Sequence, residues 1–400
     1  MNIPVYLGSP ALTSALGSGL HTHIDALLSP SSKPALTFSS DWVDGKNLAF
    51  GMVKETLRPF SDGTPAHCRS RTNRLLWHTL EQIEPQIHAA IRRYGANRIA
   101  VVIGTSTGGA DENIPMFRQA MQGKAWQDLT FNQCQHLMNA PADFIADAYG
   151  LNGLRYVVST ACTSGARALI SAARLLRAGM CDAVVCGGAD TLSPLTVNGF
   201  ASLEVLSPNI ANPFSANRDG INIGEGAAVF IMTRDADFSG GMQLLGYGAS
   251  SDAYHMSSPR PDAQGAILAF QTALQHAGLA PEDIGWINLH GTGTHHNDSM
   301  ESRAVAAVFG NNTPCTSTKP QTGHTLGAAG AIEAAFAWGI ADRRRNPENR
   351  LPPQLWDGQN DPDLPAINLT GGNSFWTTEK HIAASSSFAF GGSNCVLLIG

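Results

Sequence analysis

The sequence predicts a layered α/β protein whose strands run mainly parallel, and three observations carry that reading. Short apolar runs bounded by glycine alternate with amphipathic helical stretches, the pattern of strand–helix–strand units. Several of these runs are apolar at nearly every position, as strands covered on both faces are. The 400 residues combine 43% hydrophobic with only 14% charged side chains and include 41 glycines, the makeup of a compact chain with tight turns.

In chain order the strands are "RIAVVIG" (98–104), "RYVVST" (155–160), "DAVVCGG" (182–188), "AAVFIM" (227–232), "IGWINLHG" (284–291) and "NCVLLIG" (394–400). A helix is predicted over 164–178, where Ala166, Leu169, Ile170, Ala173 and Leu176 recur at helical spacing. A second, "GAILAFQTALQHAGL", stops at Gly278, where a C-cap glycine belongs. A third follows "STKPQTGHT", begins in small residues and carries Glu333. The chain is long for one hydrophobic core. Because "RDADFSGG" separates two stretches of similar content, we divide it into residues 1–236 and 237–400. No fixed-period repeat is visible.

A net charge of −6 argues against general nucleic-acid binding, which needs a basic face. The N-terminal segment lacks a basic region and a cleavable apolar stretch, and no run of apolar residues is long enough to span a membrane. The seven cysteines are scattered, odd in number and never spaced CxxC. That pattern fits a reducing, cytoplasmic setting and offers no zinc site of the usual spacing.

Four stretches could carry chemistry. In "VVSTACTSGARALISAARLL" (157–176), Cys162 sits between strand and helix. A thiol there can be stabilised as thiolate by the helix N-terminus, and its own N–H can face an oxyanion. A buried, inert thiol is the other reading; Cys181, Cys186 and Cys395, in apolar strand contexts, take it. In "NLHGTGTHHNDSMES" (288–302), His290 ends a strand and enters a turn, as a cleft residue or a satisfied structural one. His295 and His296 are adjacent, so their side chains diverge and a shared metal is disfavoured; we assign them to a loop. In "STKPQTGHTLGAAGAIEAAFAWGI" (317–340), Lys319 and Glu333 fit a buried ion pair or a solvated lysine. The glycine turn in "SSSFAFGGSNCVLLIG" (385–400) offers a second oxyanion N–H or a plain strand connection.

Taken together, "TACTSG", "HGTGT" followed by Asp298 and Glu301, "STKPQTGHTLGAAGAIE" and "FAFGGSN" resemble, in order and spacing, the 3-oxoacyl-(acyl-carrier-protein) synthases. These are the condensing enzymes of fatty-acid and polyketide synthesis. The resemblance runs the length of the chain and includes "NRDGINIGEGA" (217–227) and "SSDAYHMSSP" (250–259). It implies the thiolase-like fold, two similar βαβαβαββ halves stacked in αβαβα layers. It implies Cys162 as the acylated nucleophile, His290 and His324 as the active-site histidines, and Lys319 and Glu333 as a supporting ion pair. Phe390 matches the gate, and the N–H groups of Cys162 and Phe390 the oxyanion hole. Thr292 and Thr294 match pantetheine contacts, or act as turn hydroxyls, and Thr107 falls at the acyl-pocket position.

The implied reaction is decarboxylative condensation of an acyl chain on Cys162 with malonyl-carrier protein. It uses no metal or resident cofactor, because the phosphopantetheine belongs to the acyl carrier protein. The implied partners are that carrier and a second subunit, either an identical one or a chain-length-factor-like one. For the acidic carrier, Arg69, Arg71 and Arg74, and secondarily "DRRRN" (342–346), are the candidate contacts or else solvated surface residues.

Three departures stand out. Ala389 precedes Phe390 where many members have glycine, which should restrict the gate. "HHN" follows "HGTGT" in place of the usual proline- and glycine-containing stretch, and threonine stands at 107. They point to a specialised pathway, such as polyketide or polyene lipid synthesis. Rival readings are a serine hydrolase at Ser106 in "GTSTG", a coenzyme A thiolase, and a silent chain-length-factor subunit. A thiolase carries a second cysteine near the C-terminal glycine turn, where this chain has Ala389-Phe390. A silent subunit lacks the nucleophile.

Overall fold

The computed structural model describes residues 3–400. In the first half the main elements are β1 (Ala11–Ser14), β2 (Ile99–Gly104), β3 (Arg155–Val158), α1 (Ser164–Arg177), β4 (Ala183–Asp190) and β5 (Gly226–Thr233). The second half holds β6 (Leu244–Ser251), α2 (Gln264–Ala277), β7 (Trp286–Asn288), α3 (His295–Phe309), β8 (Pro314–Thr316), α4 (Ala329–Ala341), β9 (Ala383–Ala389) and β10 (Ser393–Ile399).

The two sheets repeat one topology. The first runs β1-β5-β4-β2-β3 and the second β6-β10-β9-β7-β8. In each, the last strand of the half lies antiparallel to both neighbours, and the other pairs are parallel. Short strands at Tyr6–Leu7, Gly17–Ser18 and Asn368–Leu369 extend the sheets. This duplication left no periodicity in the sequence, because only the pairing order is shared.

Helices α1 and α4 form the layer between the sheets. Alternate residues of β4 and β5 show it: Val184, Cys186, Ala228 and Phe230 face the central core with Ala166, Leu169, Ala331 and Phe336. Their neighbours Val185, Val229 and Ile231 face an outer layer with Leu76 and Ile145. All of α4 is buried, so it is apolar all round rather than amphipathic. On the far side of the second sheet, α2 and α3 pack through Phe270, Met300 and Val305. The layers are therefore αβαβα, as the resemblance implies.

Helix α2 ends at Gly278, in the left-handed region at φ 67°, as the sequence predicts. His295 and His296 correct the loop assignment: they open α3, because the Thr294 side chain accepts from the Asn297 N–H and caps that helix.

His23 packs its ring on Phe336 of α4, bonds Ser14 Oγ through Nε2 (2.8 Å) and the Gly19 carbonyl through Nδ1 (2.8 Å). Burial lowers its pKa from 6.5 to about 4. Below the ordinary imidazole pKa the unfolded chain therefore binds a proton that the native state refuses. His23 stabilises fully at neutral pH and progressively less as pH falls toward about 4, by about 3 kcal/mol in all. Glu301, held protonated up to about 7 by burial, pulls the other way, so the check is differential. The stability gap between wild type and His23→Gln should narrow by that amount on acidification in denaturant titrations.

Candidate active site

The carboxyl ends of the parallel strands of both halves open onto one cleft, where α/β sheets place their ligands. From β3 the chain turns through Ala161, held at φ 51°, into Cys162 and α1. A non-glycine residue there is strained. The turn is locked by Ser164 Oγ, which donates to the Ala161 carbonyl (2.6 Å) and accepts from the Thr160 N–H (2.9 Å). From β7 comes His290, and from the segment after β8 come Lys319 and His324.

The structure brings Cys162, His290 and His324 together, with their ligating atoms all within 4.8 Å of one another. His324 Nε2 lies 3.0 Å from Cys162 Sγ. The two imidazoles meet edge to face at 5.2 Å between centroids. Lys319 Nζ donates to Glu333 Oε1 at 2.6 Å and lies 3.4 Å from His290 Nδ1. An ammonium can only donate, so Nδ1 accepts and the His290 proton sits on Nε2. Burial, with Lys319 adding to it, holds both histidines well below the ordinary imidazole range, so both are neutral.

Cys162 behaves differently from the helix-terminus expectation. Burial pushes its thiol up to about 12, against the opposing pull of Lys319 and the N–H groups of Cys162 and Phe390. Desolvation outweighs those favourable contacts. Free enzyme thus holds a thiol hydrogen-bonded to His324, not a standing thiolate. The same two N–H groups lie near the sulfur, one from each half of the fold.

The cavity at this centre, about 80 Å³, is lined by Cys162, His290, His324, Thr292, Thr294 and Phe390, among others. Phe390 lies against Phe200 at 5.6 Å and is partly exposed at the mouth. Phe200 was not foreseen from sequence. Positive φ falls on Gly391 (83°) and Gly392 (75°), not on Ala389, so the closed turn accepts the alanine without strain. Thr292 and Thr294 face the cavity and also bond each other (3.0 Å), with Thr294 capping α3. These bonds are the turn-hydroxyl role.

Other expected residues lie apart. Thr107 is buried and gives its hydroxyl to Asp190 (3.0 Å); it does not line the cavity at Cys162. Arg69 is bonded to the Thr64 and Asp62 carbonyls, Arg74 to those of Arg58 and Leu57, and Arg71 forks onto buried Glu225. These guanidiniums are exposed but engaged by their own chain. Arg344 and Arg345 pair with Asp342 just past the end of α4. A helix of 13 residues puts them about 20 Å along the core from the site end. Ser106 Oγ donates to Asp190 (2.5 Å), a carboxylate rather than an imidazole, which removes the general base a serine hydrolase needs.

Glu301, quoted in a motif but given no role, braces His290. Its carboxyl accepts the N–H groups of His290 (2.8 Å) and Gly291 (2.7 Å) and the Ser386 hydroxyl (2.8 Å).

Comparison with known proteins agrees with this arrangement. Residues 73–237 match the beta-ketoacyl synthase N-terminal domain, and residues 242–349 the C-terminal domain. A 3-oxoacyl-(acyl-carrier-protein) synthase 2 of Synechocystis sp. is 34% identical over 325 residues, 77% of this chain and 76% of that protein. One from Coxiella burnetii is 32% identical over 326 residues, 77% of each. Among solved structures, a ketosynthase in complex with its chain length factor from Xenorhabdus doucetiae superposes with a TM-score of 0.90 at 41% identity, covering 99% of this chain and 98% of that one. A beta-ketoacyl synthase from Burkholderia phymatum superposes at 0.86 with 28% identity, covering 99% and 98%. With both domain matches, relatives of this length and a cysteine facing two histidines across the halves of a thiolase-like fold, the chain belongs to the beta-ketoacyl synthase family.

Proposed function

We propose that this chain is a 3-oxoacyl-(acyl-carrier-protein) synthase that carries its acyl chain on Cys162. The observation that carries the reading is Cys162 Sγ at 3.0 Å from His324 Nε2, with a second neutral imidazole facing the same space. An acyl thioester on the carrier's phosphopantetheine meets the Cys162 sulfur. The new S–C bond forms as the pantetheine C–S bond breaks, and the thiol proton passes through His324 to the departing pantetheine sulfur. That route needs no standing thiolate, which the raised thiol pKa disfavours.

Malonyl-carrier protein then loses CO2, and the electrons of the broken C–C bond become an enolate. The Nε2–H of His290 and, once acylation has removed the thiol from His324 Nε2, the Nε2–H tautomer of His324 supply two donors for its oxygen; each such donor is typically worth about 10²–10³ in rate. The enolate carbon attacks the acyl carbonyl, whose oxygen is received by the Cys162 and Phe390 N–H groups. The C–S bond to Cys162 breaks, the sulfur leaves as thiolate and takes a proton from solvent by way of His324 to restore the resting thiol, and 3-oxoacyl-carrier protein leaves. Two easier steps replace one hard one. The chemistry draws on the carrier's phosphopantetheine and calls for no metal or nicotinamide.

The solved ketosynthase at 41% identity is paired with a chain length factor, which supports a heterodimeric partner for this chain; the departures at Thr107 and in "HHN" are what favour a specialised polyketide or polyene lipid pathway. No helix among the described residues is long and apolar enough to cross a membrane. With carrier-bound substrates this supports a cytoplasmic enzyme.

Intact-protein mass spectrometry with a panel of acyl-carrier proteins should show one acyl adduct, on Cys162, chased to 3-oxoacyl product by malonyl-carrier protein. Acylation from coenzyme A thioesters alone would favour a thiolase and overturn the assignment. Copurification from the native host should return a chain-length-factor-like subunit rather than a homodimer.

A further inference from the structure

The two active-site histidines are braced very differently. His290 is held through its ring by Lys319 and through its backbone by Glu301. The His324 ring bonds Cys162 alone, and its Nδ1 has no partner among the described residues. Its aim must therefore come from the backbone that carries it. On the near side that backbone is fixed: the His324 N–H donates to the Asn222 carbonyl (2.7 Å), and the His324 carbonyl accepts from the Gly224 N–H (2.9 Å). On the far side, Leu326 stands at φ 51°, a left-handed conformation that a branched side chain adopts only when its surroundings impose it.

The imposing group is Asp190, fully buried at the end of β4. Its Oδ2 accepts the N–H of Gly327 at 2.6 Å, directly after the strained residue. The same carboxyl accepts Thr105 Oγ1 (2.6 Å), Ser106 Oγ (2.5 Å), Thr107 Oγ1 (3.0 Å) and the Ser106 and Thr107 N–H groups. One carboxyl thus ties the loop after β2, in the first half, to the His324 loop in the second. The approach is so close that a Cβ on Gly327 would lie 2.6 Å from both Asp190 Oδ2 and the Ser106 nitrogen.

We propose that Asp190 is a positioning residue for His324, clamping the strained turn at Leu326–Gly327 so that the imidazole meets the cleft in register with Cys162. The inference rests on the condensing reaction proposed above, in which His324 is an enolate donor. It predicts a selective defect. Decarboxylation depends on where the His324 donor lies. Acyl transfer to Cys162 also relays its proton through His324, but the charge that builds on the acyl oxygen falls on the N–H pair of Cys162 and Phe390, which Asp190 does not touch, so this step should be slowed less.

The test compares wild type, Asp190→Asn and Asp190→Glu in two assays. One is CO2 release from malonyl-carrier protein; the other is single-turnover acylation of Cys162 by an acyl-carrier protein. Asparagine turns an N–H2 toward groups that are all donors, so Asp190→Asn should slow CO2 release by about 10²-fold, the usual effect of misplacing a group by an ångström. Acylation should fall less than about 5-fold and KM for the malonyl carrier should hold, since the defect is in aim rather than binding. Asp190→Glu keeps the acceptors but displaces them, and should lose about 3–10-fold in CO2 release alone.

Equal losses in the two assays, or none, would overturn the proposal. If Asp190→Asn fails to fold, Asp190→Glu decides by itself: no selective loss refutes the clamp. Should wild type neither accept acyl groups nor release CO2, the condensing reading fails instead, and the two failures stay distinct.

Discussion

Cys162→Ala should abolish condensation, lowering product formation by at least about 10⁴-fold, the scale seen when a covalent nucleophile is removed. No other thiol can take its place. Cys181, Cys186, Cys315 and Cys395 are buried, away from the cavity, and Cys68 and Cys134 do not line it. The fold should survive, since removing one buried sulfur costs on the order of 1 kcal/mol. Malonyl decarboxylation should persist within about 10-fold, because the two imidazole donors it uses are untouched. Product mass spectrometry, CO2 release and a denaturation curve on one preparation separate these outcomes. Full condensing activity in Cys162→Ala protein would sink the mechanism.

That pattern was largely legible in the sequence because the groups that touch reacting atoms sit in short, contiguous motifs. Cys162 lies between a strand and a helix, His290 at a strand end, and His324 before a helix of small residues. What the sequence hid depends on distance or depth. Asp190 falls two residues beyond the strand predicted over 182–188, and its work becomes visible only when β4 meets residues 105–107 and Gly327. The raised pKa of Cys162 was missed for a related reason: a helix terminus can be read from residue order, but the desolvation that outweighs it cannot. Arg69, Arg71 and Arg74 look like free surface cations until their carbonyl and carboxylate partners, some remote in sequence, are in place. The paired halves were likewise hidden, because equal strand order can be built from unlike sequences.

Lys319→Met should have the second large effect, on stability and activity together, and a companion change can separate the two. Lys319 and Glu333 are almost wholly buried and 2.6 Å apart. Removing the lysine strands a carboxyl in the core, next to α1 and β9, and breaking a buried pair this way typically costs about 3–5 kcal/mol. Replacing both partners, as Lys319→Met with Glu333→Gln, removes the unpaired charge, so most of that stability should return in a urea titration. Activity should not return with it. The ammonium facing His290 Nδ1 is what assigns the imidazole proton to Nε2; without it, either tautomer is allowed and the donor toward the enolate is no longer fixed. Decarboxylation by the double variant should therefore stay about 10²-fold below wild type at equal folded fraction, the loss expected of one oxyanion donor. Acylation of Cys162 should fall less. A double variant as stable and as active as wild type would reduce the Lys319–Glu333 pair to a structural tie, leaving His290 to be oriented by Glu301 and the Ser386 hydroxyl alone.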